Sequence, residues 1–350
     1  MPNRLNSVLK RYDYRLQPES IANLPAMPRD SARLLAYDRT TRQTGFDIFR
    51  NLGKYLPKNA VLVFNQTKVW PARLIARKPT GGKVELLYIS HSNRLIKTLA
   101  NRPLAAGTSL ALLSGRSRTL KLQVMAKKGQ FYFLRPSFPI GKTPEILKRC
   151  GVTPLPPYIK NSPLSERQKR QEYQSVFAKS GLSVAAPTAS LHFTKPLINQ
   201  LKKQGIAIKF LQLDVGLGTF APLKEQNLDQ HKLHREFYKI DKATADFLNM
   251  AKRQGKVIIA VGTTVVRTLE SASNRRRRLT KLTGTTELFI QEGYNFNFVD
   301  GIITNFHVPR SSLLMLVSAF AGRKTILDLY RRAIGKKFRF FSFGDGMLLL

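Results

Sequence analysis

"PARLIARKPTGGKVELLYIS", Pro71–Ser90, decides how the rest of the chain divides. Two runs rich in aliphatic and β-branched side chains flank a Thr-Gly-Gly turn signal, the pattern of short strands. The same texture continues through "TSLALLS", "LKLQVMA", "KKG" and "QFYFLRP". From about Trp70 to Arg135 the sequence therefore reads as a small all-β barrel or sandwich.

Outward from this stretch the texture changes on both sides. Before it, a mixed segment ends in the apolar run "AVLVFN", residues 60–65. After it come helix-start signals: Ser165 and Gln168 fit a capping box before "EYQSVFAK", and Thr194 can cap "KPLINQLKKQG" with Pro196 in the first turn. Strands interleave with these helices, as in "IAIKFLQLDVG", "KVIIAVG" and "ELFIQ". The expected fold is α/β: a mixed α/β main domain made of residues 1–65 and 151–350, carrying an inserted small all-β barrel domain at 66–150. No internal repeat is visible, and the one low-complexity stretch is "NRRRR", residues 274–278.

With 350 residues and 43% hydrophobic content the chain can bury a sizeable core, and the length favours two domains. Its 59 Lys and Arg against 21 Asp and Glu give a net charge of +38, a long-range field suited to a polyanion such as nucleic acid or an anionic membrane. A proteome that is basic throughout would give the same composition, so charge alone fixes no site. No apolar run approaches the roughly 20 residues of a membrane span, and "MPNRLNSVLKRYDYRL" lacks the apolar core of a signal peptide. A cytoplasmic protein is expected. Cys150, the only cysteine, can form neither an intramolecular disulfide nor a zinc cluster and is expected to pack.

Four stretches carry possible chemistry. In "VIIAVGTTVVRTLESA" an apolar strand feeds, through Gly262, Thr263 and Thr264, a helix bearing Arg267 and Glu270. Such a turn offers free backbone N–H groups to a ligand, although ordinary strand-to-helix turns use the same residues. "DVGLGTFAP" holds Asp214, two glycines that permit close backbone approach, Gly216 and Gly218, then Thr219 and Phe220. "HKLHREFY" gathers His231, His234 and Glu236, but the rest of a ligand set is not evident, so acid–base or hydrogen-bonding work is expected and a metal is not. "ITNFHVPRSSLLMLVSAFAG" runs from a strand through Asn305, Phe306 and His307 to a Ser-capped apolar helix. His307 alone reads first as a satisfied core residue.

Taken in order, "PLPPYI", "SVAAPTASLHFT", "DVGLGTFAP", "HKLHREFY", "AVGTTVVRTLESA", "ITNFHVPRSSLLMLVSAFAG" and "FRFFSFGDGMLLL" closely resemble the successive signatures of the S-adenosylmethionine:tRNA ribosyltransferase-isomerase family. "PRDSARLLAYDR", "VLVFNQTKVWPARLIARK" and "TGGKVELL" near the start do so as well, and the resemblance runs from about Tyr14 to Leu350. It implies an α/β domain with an inserted β-barrel. It also implies transfer of the ribosyl part of S-adenosylmethionine to 7-aminomethyl-7-deazaguanine in the tRNA wobble position, giving epoxyqueuosine, adenine and methionine. The expected partners are the anticodon arm of tRNA and the small-molecule donor, with S-adenosylmethionine as co-substrate, no metal and no membrane. The chain is expected to act as a monomer or weak homo-oligomer.

The resemblance also implies roles. Thr188, His192 and Phe193 would lie on a turn lining the pocket where base and donor meet. A base within the anticodon stack must be splayed out against an aromatic surface, for which Phe193, Phe220 and Phe306 are candidates. Removing the acidified proton from the ribose C5′ requires a base, and His192, His234 and His307 are candidates. Glu236 and Glu270 would offset the protein's field around the cationic sulfur, unless they serve as surface or capping residues. Arg275, Arg276, Arg277 and Arg278 cannot all be buried and are expected on an exposed loop, as weak candidates for tRNA contact.

Three positions depart from the family pattern. Asp214 stands where members usually carry His before "VG", Ser190 where Gly precedes "LHF", and Gln66 where Asp follows Asn65. An imidazole base cannot come from position 214; Asp214 either replaces it or shows it to be dispensable. A catalytically idle tRNA-binding relative and an RNA methyltransferase are the competing readings.

Overall fold

The apolar run at 60–65 is a strand buried at every position, the expected state of a central strand covered on both faces. The computed structural model describes residues 4–113, 120–216 and 223–350. Helix α1 (Arg4–Lys10) leads to strands β1 (Arg33–Tyr37), β2 (Thr44–Ile48), the buried β3 (Ala60–Asn65) and β4 (Thr67–Val69). Then come β5 (Arg73–Arg77), β6 (Lys83–Ser92), β7 (Leu95–Ala100), β8 (Ser109–Leu112), β9 (Lys121–Lys128) and β10 (Phe131–Pro136). Helix α2 (Thr143–Cys150), β11 (Gly151–Val152), α3 (Glu166–Glu172), β12 (Ser180–Ser183), α4 (Lys195–Lys203), β13 (Ala207–Leu213) and α5 (Glu225–Gln230) follow. The chain continues through β14 (Lys232–Lys239), α6 (Lys242–Arg253), β15 (Val257–Val261), α7 (Thr263–Ala272), β16 (Thr283–Leu288), β17 (Gly301–Asn305), α8 (Ser312–Ala321), α9 (Arg323–Gly335) and β18 (Gly346–Leu349).

The fold is a mixed α/β domain with an inserted small β-barrel. Its main sheet runs β16-β14-β13-β3-β15-β17-β18-β1-β2, and β13, β3, β15 and β17 form a parallel centre. Strand β13 lies on one flank of β3 and β15 on the other, so the connections diverge at β3. Ligands in open α/β sheets bind outside the carboxyl ends of strands at such a reversal. At that end Asn65 crosslinks the strands, its Nδ2 donating to the Leu213 carbonyl (2.9 Å) and its Oδ1 accepting from Leu213 N–H (3.1 Å).

Beyond β4 the chain enters the barrel. Strands β5, β6, β7, β10, β9 and β8 form an antiparallel ring, closed by β5 pairing with β8. Alternate inward residues such as Leu74, Leu86, Ile96, Leu110, Leu122 and Leu134 fill it. Cys150 packs into this core, as expected. The strands β4 and β12 pair in parallel beside the junction.

The helix signals act as read. Ser165 and Gln168 form the capping box of α3, and the Thr194 side chain accepts from Leu197 N–H at the start of α4. Two boundaries differ. Helix α3 ends at Glu172, so most of "EYQSVFAK" lies beyond it, and β16 ends at Leu288, so "ELFIQ" is only partly strand. In both places buried aromatic and aliphatic residues pack from irregular backbone, as Tyr173 and Ile290 do. Among the described residues no helix is long and apolar enough to cross a membrane.

Candidate functional site

At the carboxyl end of the parallel strands lies a cavity of about 460 Å³. Residues from widely separated stretches meet there, including Tyr158, Thr188, Val215, Thr263, Asn305 and His307. Strand β15 is followed by Gly262, whose φ of +97° suits glycine and turns the chain directly into α7. Among the described residues no side chain caps α7, and Thr263 and Thr264 of its first turn line the cavity. The Ser311-capped α8 begins on the same wall at Ser312.

His307 follows β17 and lines this wall. Its Nε2 lies 3.0 Å from Thr304 Oγ1, and its backbone is held by Tyr330, which accepts from its N–H at 2.9 Å, and by Tyr14, which donates to its carbonyl. Burial lowers its pKa to about 3, keeping the imidazole neutral at physiological pH. The sequence alone favoured a core histidine; the ring is indeed buried, but at the cavity surface.

His192 sits differently. A 3-10 turn over Thr188–His192 presents Thr188 to the cavity and carries His192 behind it, stacked on Phe49 at 4.7 Å. Burial lowers its pKa to about 4, with Asp345 opposing the shift and Arg339 adding to it. The Asn305 amide favours its protonated form, yet Nε2 makes no hydrogen bond within normal geometry. Among the described residues buried Ser190 Oγ and Asn305 Oδ1 likewise lack hydrogen-bond partners.

The expectation that Phe193 lines the pocket is corrected. Its ring is fully buried, edge-on to Phe49 (5.1 Å) and Phe64 (4.7 Å), because the turn directs it into the core beneath the sheet. Phe306 borders the cavity, but its ring is also fully buried, against Tyr330 and Phe340. Neither ring is open to a base in this arrangement. Phe220, Gly218 and Thr219 lie outside the described residues. The aromatic face at the cavity is instead Tyr158, half-buried, tilted on Phe341 (4.8 Å) and bonded to Ser342 Oγ at 2.7 Å. The motifs "PLPPYI" and "FRFFSFGDGMLLL" pointed to this region, but a tyrosine after two prolines carries no sequence signal that distinguishes site from core.

Of the two readings of the glutamates, Glu270 takes the structural one, while Glu236 borders the adjoining cleft. Glu270 Oε1 accepts from Phe298 and Val299 N–H (3.0 Å each), and Oε2 from Asn297 N–H (2.8 Å), so Glu270 ties down the loop before β17. Glu236 forms a buried ion pair with Arg267 and accepts from Gly216 N–H at 2.9 Å. The described wall of the main cavity carries no carboxylate. His234 is exposed and, with Glu236 and Arg267, lines a narrow cleft that shares Thr263, Thr264 and Ser312 with the main cavity. Among the described residues Arg267 Nη2 has no hydrogen-bond partner.

Asp214 points elsewhere. Its Oδ1 accepts from Thr67 Oγ1 (3.0 Å), Leu182 N–H (3.2 Å) and Gln212 Nε2 (3.0 Å), at a groove between main sheet and barrel that also includes His91. Arg275–Arg278 form an exposed turn, as expected, around Asn274 Oδ1, which accepts from Arg276 and Arg278 N–H. Among the described residues no cluster of three or more His, Cys, Asp or Glu is arranged to hold a metal.

These features define an α/β protein with an appended barrel and a concave, mostly uncharged cavity at the strand ends, where such folds place their ligands. The family described as "Queuosine biosynthesis protein" matches residues 9–349. A Carboxydothermus hydrogenoformans protein named S-adenosylmethionine:tRNA ribosyltransferase-isomerase is 46% identical over 346 residues, 98% of this chain and 99% of its own. The Thermotoga maritima protein of the same name is 42% identical over 356 residues, again 98% and 99%. A crystal structure of the S-adenosylmethionine tRNA ribosyltransferase from Thermotoga maritima matches with a TM-score of 0.55 at 32% identity, over 97% of this chain and all of that one. The chain belongs to this queuosine biosynthesis family of transferase-isomerase enzymes.

Proposed function

We propose that the protein transfers and isomerises the ribosyl part of S-adenosylmethionine onto 7-aminomethyl-7-deazaguanine at the wobble position of tRNA. The products are epoxyqueuosine-tRNA, adenine and methionine. The observation that carries this reading is the convergence on one cavity of residues from "PLPPYI", "SVAAPTASLHFT", "AVGTTVVRTLESA" and "ITNFHVP" in a chain of this family.

The chemistry follows from the wall. The donor's carboxylate suits the uncapped start of α7, where Arg267 with its unpaired Nη2 borders the adjoining cleft. Its cationic sulfur would face the wall's threonine and serine hydroxyls, the cation of the described wall, Arg310, being paired with Asp13. Neutral His307 takes the C5′ proton, held in orientation by Thr304. Tyr158, whose phenol burial pushes up to about 12 and so keeps neutral, gives the splayed base a flat, hydrogen-bonding face. The aminomethyl nitrogen then attacks C1′ as adenine leaves, the ring oxygen departs from C1′, the electron pair at C5′ closes the carbocycle onto C1′, and the freed oxygen displaces methionine from C5′ to form the epoxide, so holding both substrates matters as much as the base. His192 acts through Asn305 as a positioning residue. His234, Glu236 and Arg267 shape the donor end. Residues 66–150 act as the inserted unit, and the protein works in the cytoplasm, as a monomer or weak homo-oligomer.

A mass spectrum of the small products tests this reading. Free adenine and methionine, formed from donor and aminomethyl-deazaguanine tRNA at undiminished rate in excess chelator, are the expected result. S-adenosylhomocysteine would instead reveal a methyltransferase, and no small product an idle tRNA-binding protein.

A further inference from the structure

The barrel carries more positive charge for its size than the rest of the chain. Over residues 66–150 there are 17 Lys and Arg, and Glu85 and Glu145 are the only acidic side chains. Glu85 lies on β6 within 3.9 Å of Arg73 on β5 and Glu145 lies in α2, so the side of the ring away from Glu85 has no carboxylate on its strands. That side is the outer face of β7, β10 and β9.

Register fixes what this face shows. Phe133 on β10 sits between Lys97 of β7 and Ala126 of β9, Phe131 pairs with Lys128, and Arg135 pairs with Gln123. Partners across a ladder share a face, so two aromatic rings and three cations project outward together. Both rings are half-buried and neither joins the barrel's packed core, although an outward position on a small barrel is ordinarily polar. Lys97 Nζ sits 3.9 Å above the Phe131 ring. Lys128 and Arg135 are exposed, and among the described residues Lys97, Lys128 and Arg135 pair with no carboxylate. At one end of the face the turn bearing Arg94 and the Pro136–Ile140 segment enclose a groove of about 670 Å³, bordered by Arg94 and Arg135.

We propose that this barrel face is an RNA-docking surface. Lys97, Lys128, Arg94 and Arg135 contact phosphates, and Phe131 and Phe133 supply a platform for an unpaired base. Cations alternating with ring faces on a sheet are the means by which proteins hold single-stranded or looped RNA. An acidic protein partner would be served by the cations alone and would leave the rings without a role. The inference rests on the proposed tRNA reaction: it assigns the barrel to holding the polyanion while the cavity holds the reacting base and donor.

The test compares wild type with Lys97→Ser/Lys128→Ser/Arg135→Ser and with Phe133→Ala, using tRNA that carries the aminomethyl base. Each phosphate that a cation no longer neutralises lowers the slope of log affinity against log salt by roughly 0.7–0.9. The triple variant should therefore flatten the slope by about 2 to 3 and raise KM for tRNA, while S-adenosylmethionine affinity, read by calorimetry, stays at the wild-type value. Phe133→Ala should weaken tRNA binding by about tenfold with an unchanged salt slope, and Phe133→Tyr, which keeps the ring, should restore it. Thermal melts identify any variant that has lost its fold, and serine at single positions then replaces the triple change. Wild-type salt slope and tRNA affinity in the folded variants overturn the proposal, as does a change of oligomeric state without a change in tRNA binding. If wild type itself releases no adenine, the reaction reading fails; salt-dependent tRNA binding lost with the three cations would still uphold the surface.

Discussion

Glu236→Gln keeps the shape and the acceptor for Gly216 N–H while removing one charge from a buried pair. The two side chains are 1% and 8% exposed, so water cannot compensate the charge left on Arg267. Its remaining partner is the Leu288 carbonyl at 3.0 Å. Breaking one side of such a pair costs about 3–5 kcal/mol, roughly a fifth or more of the roughly 5–15 kcal/mol that hold a typical domain folded. Arg267→Met should cost a similar amount by taking the counter-charge from buried Glu236. The double variant carries no buried charge and should recover to within about 1 kcal/mol of wild type, because apolar replacement of a whole buried pair is often neutral. Urea unfolding of the four proteins at neutral pH gives the double-mutant cycle directly. If the double variant is destabilised by the sum of the two single changes, Glu236 and Arg267 do not act as a pair, and their bracing of β14 against α7 is refuted.

Acid should weaken the fold through two histidines. The folded pKa values of His192 and His307, about 4 and about 3, lie below the ordinary 6.5, so their stabilisation is complete above pH 6.5 and is lost as pH falls toward those values. By pH 5 each should have withdrawn about 2 kcal/mol, visible as a falling urea midpoint that His192→Gln flattens in part; an even midpoint from pH 7 to 5 would count against their burial as neutral rings. His307→Gln should lower turnover by about 10²–10⁴ with donor binding retained, whereas exposed His234→Ala should lose less than about tenfold; the reverse order would move the base to the cleft. Replacing Arg275–Arg278 with serine should flatten the salt dependence of tRNA binding by roughly 0.7–0.9 for each phosphate these arginines neutralise, and an unaltered slope would assign the turn to solvent alone.

Local signals were legible where the physics is local. The capping residues Ser165 and Thr194, the strand runs at 60–65 and 257–261, and the alternating barrel strands follow from neighbours a few positions away. The direction of a side chain within a turn is not local. His192 and Phe193 sit beside Thr188 in sequence, but the 3-10 turn sends them into the core and leaves Thr188 at the cavity. Glu270 reads as a helix-surface acid until the loop at 297–299 folds back to donate three N–H groups to it. Tyr158 and Ser342 lie far apart in the chain, and only the packing of the carboxyl-terminal segment brings them together. Asp214 could be flagged as a departure, while its role as an acceptor at the barrel junction depends on Thr67, Leu182 and Gln212.

The most direct measurement of the central claim is the fate of the donor's ribose. With S-adenosylmethionine labelled in its ribosyl carbons and tRNA bearing the aminomethyl base, the account predicts label in the wobble nucleoside, one ribosyl unit for each adenine released. Label that stays with a released adenosyl product, or labelled methyl groups on the tRNA in its place, would contradict it.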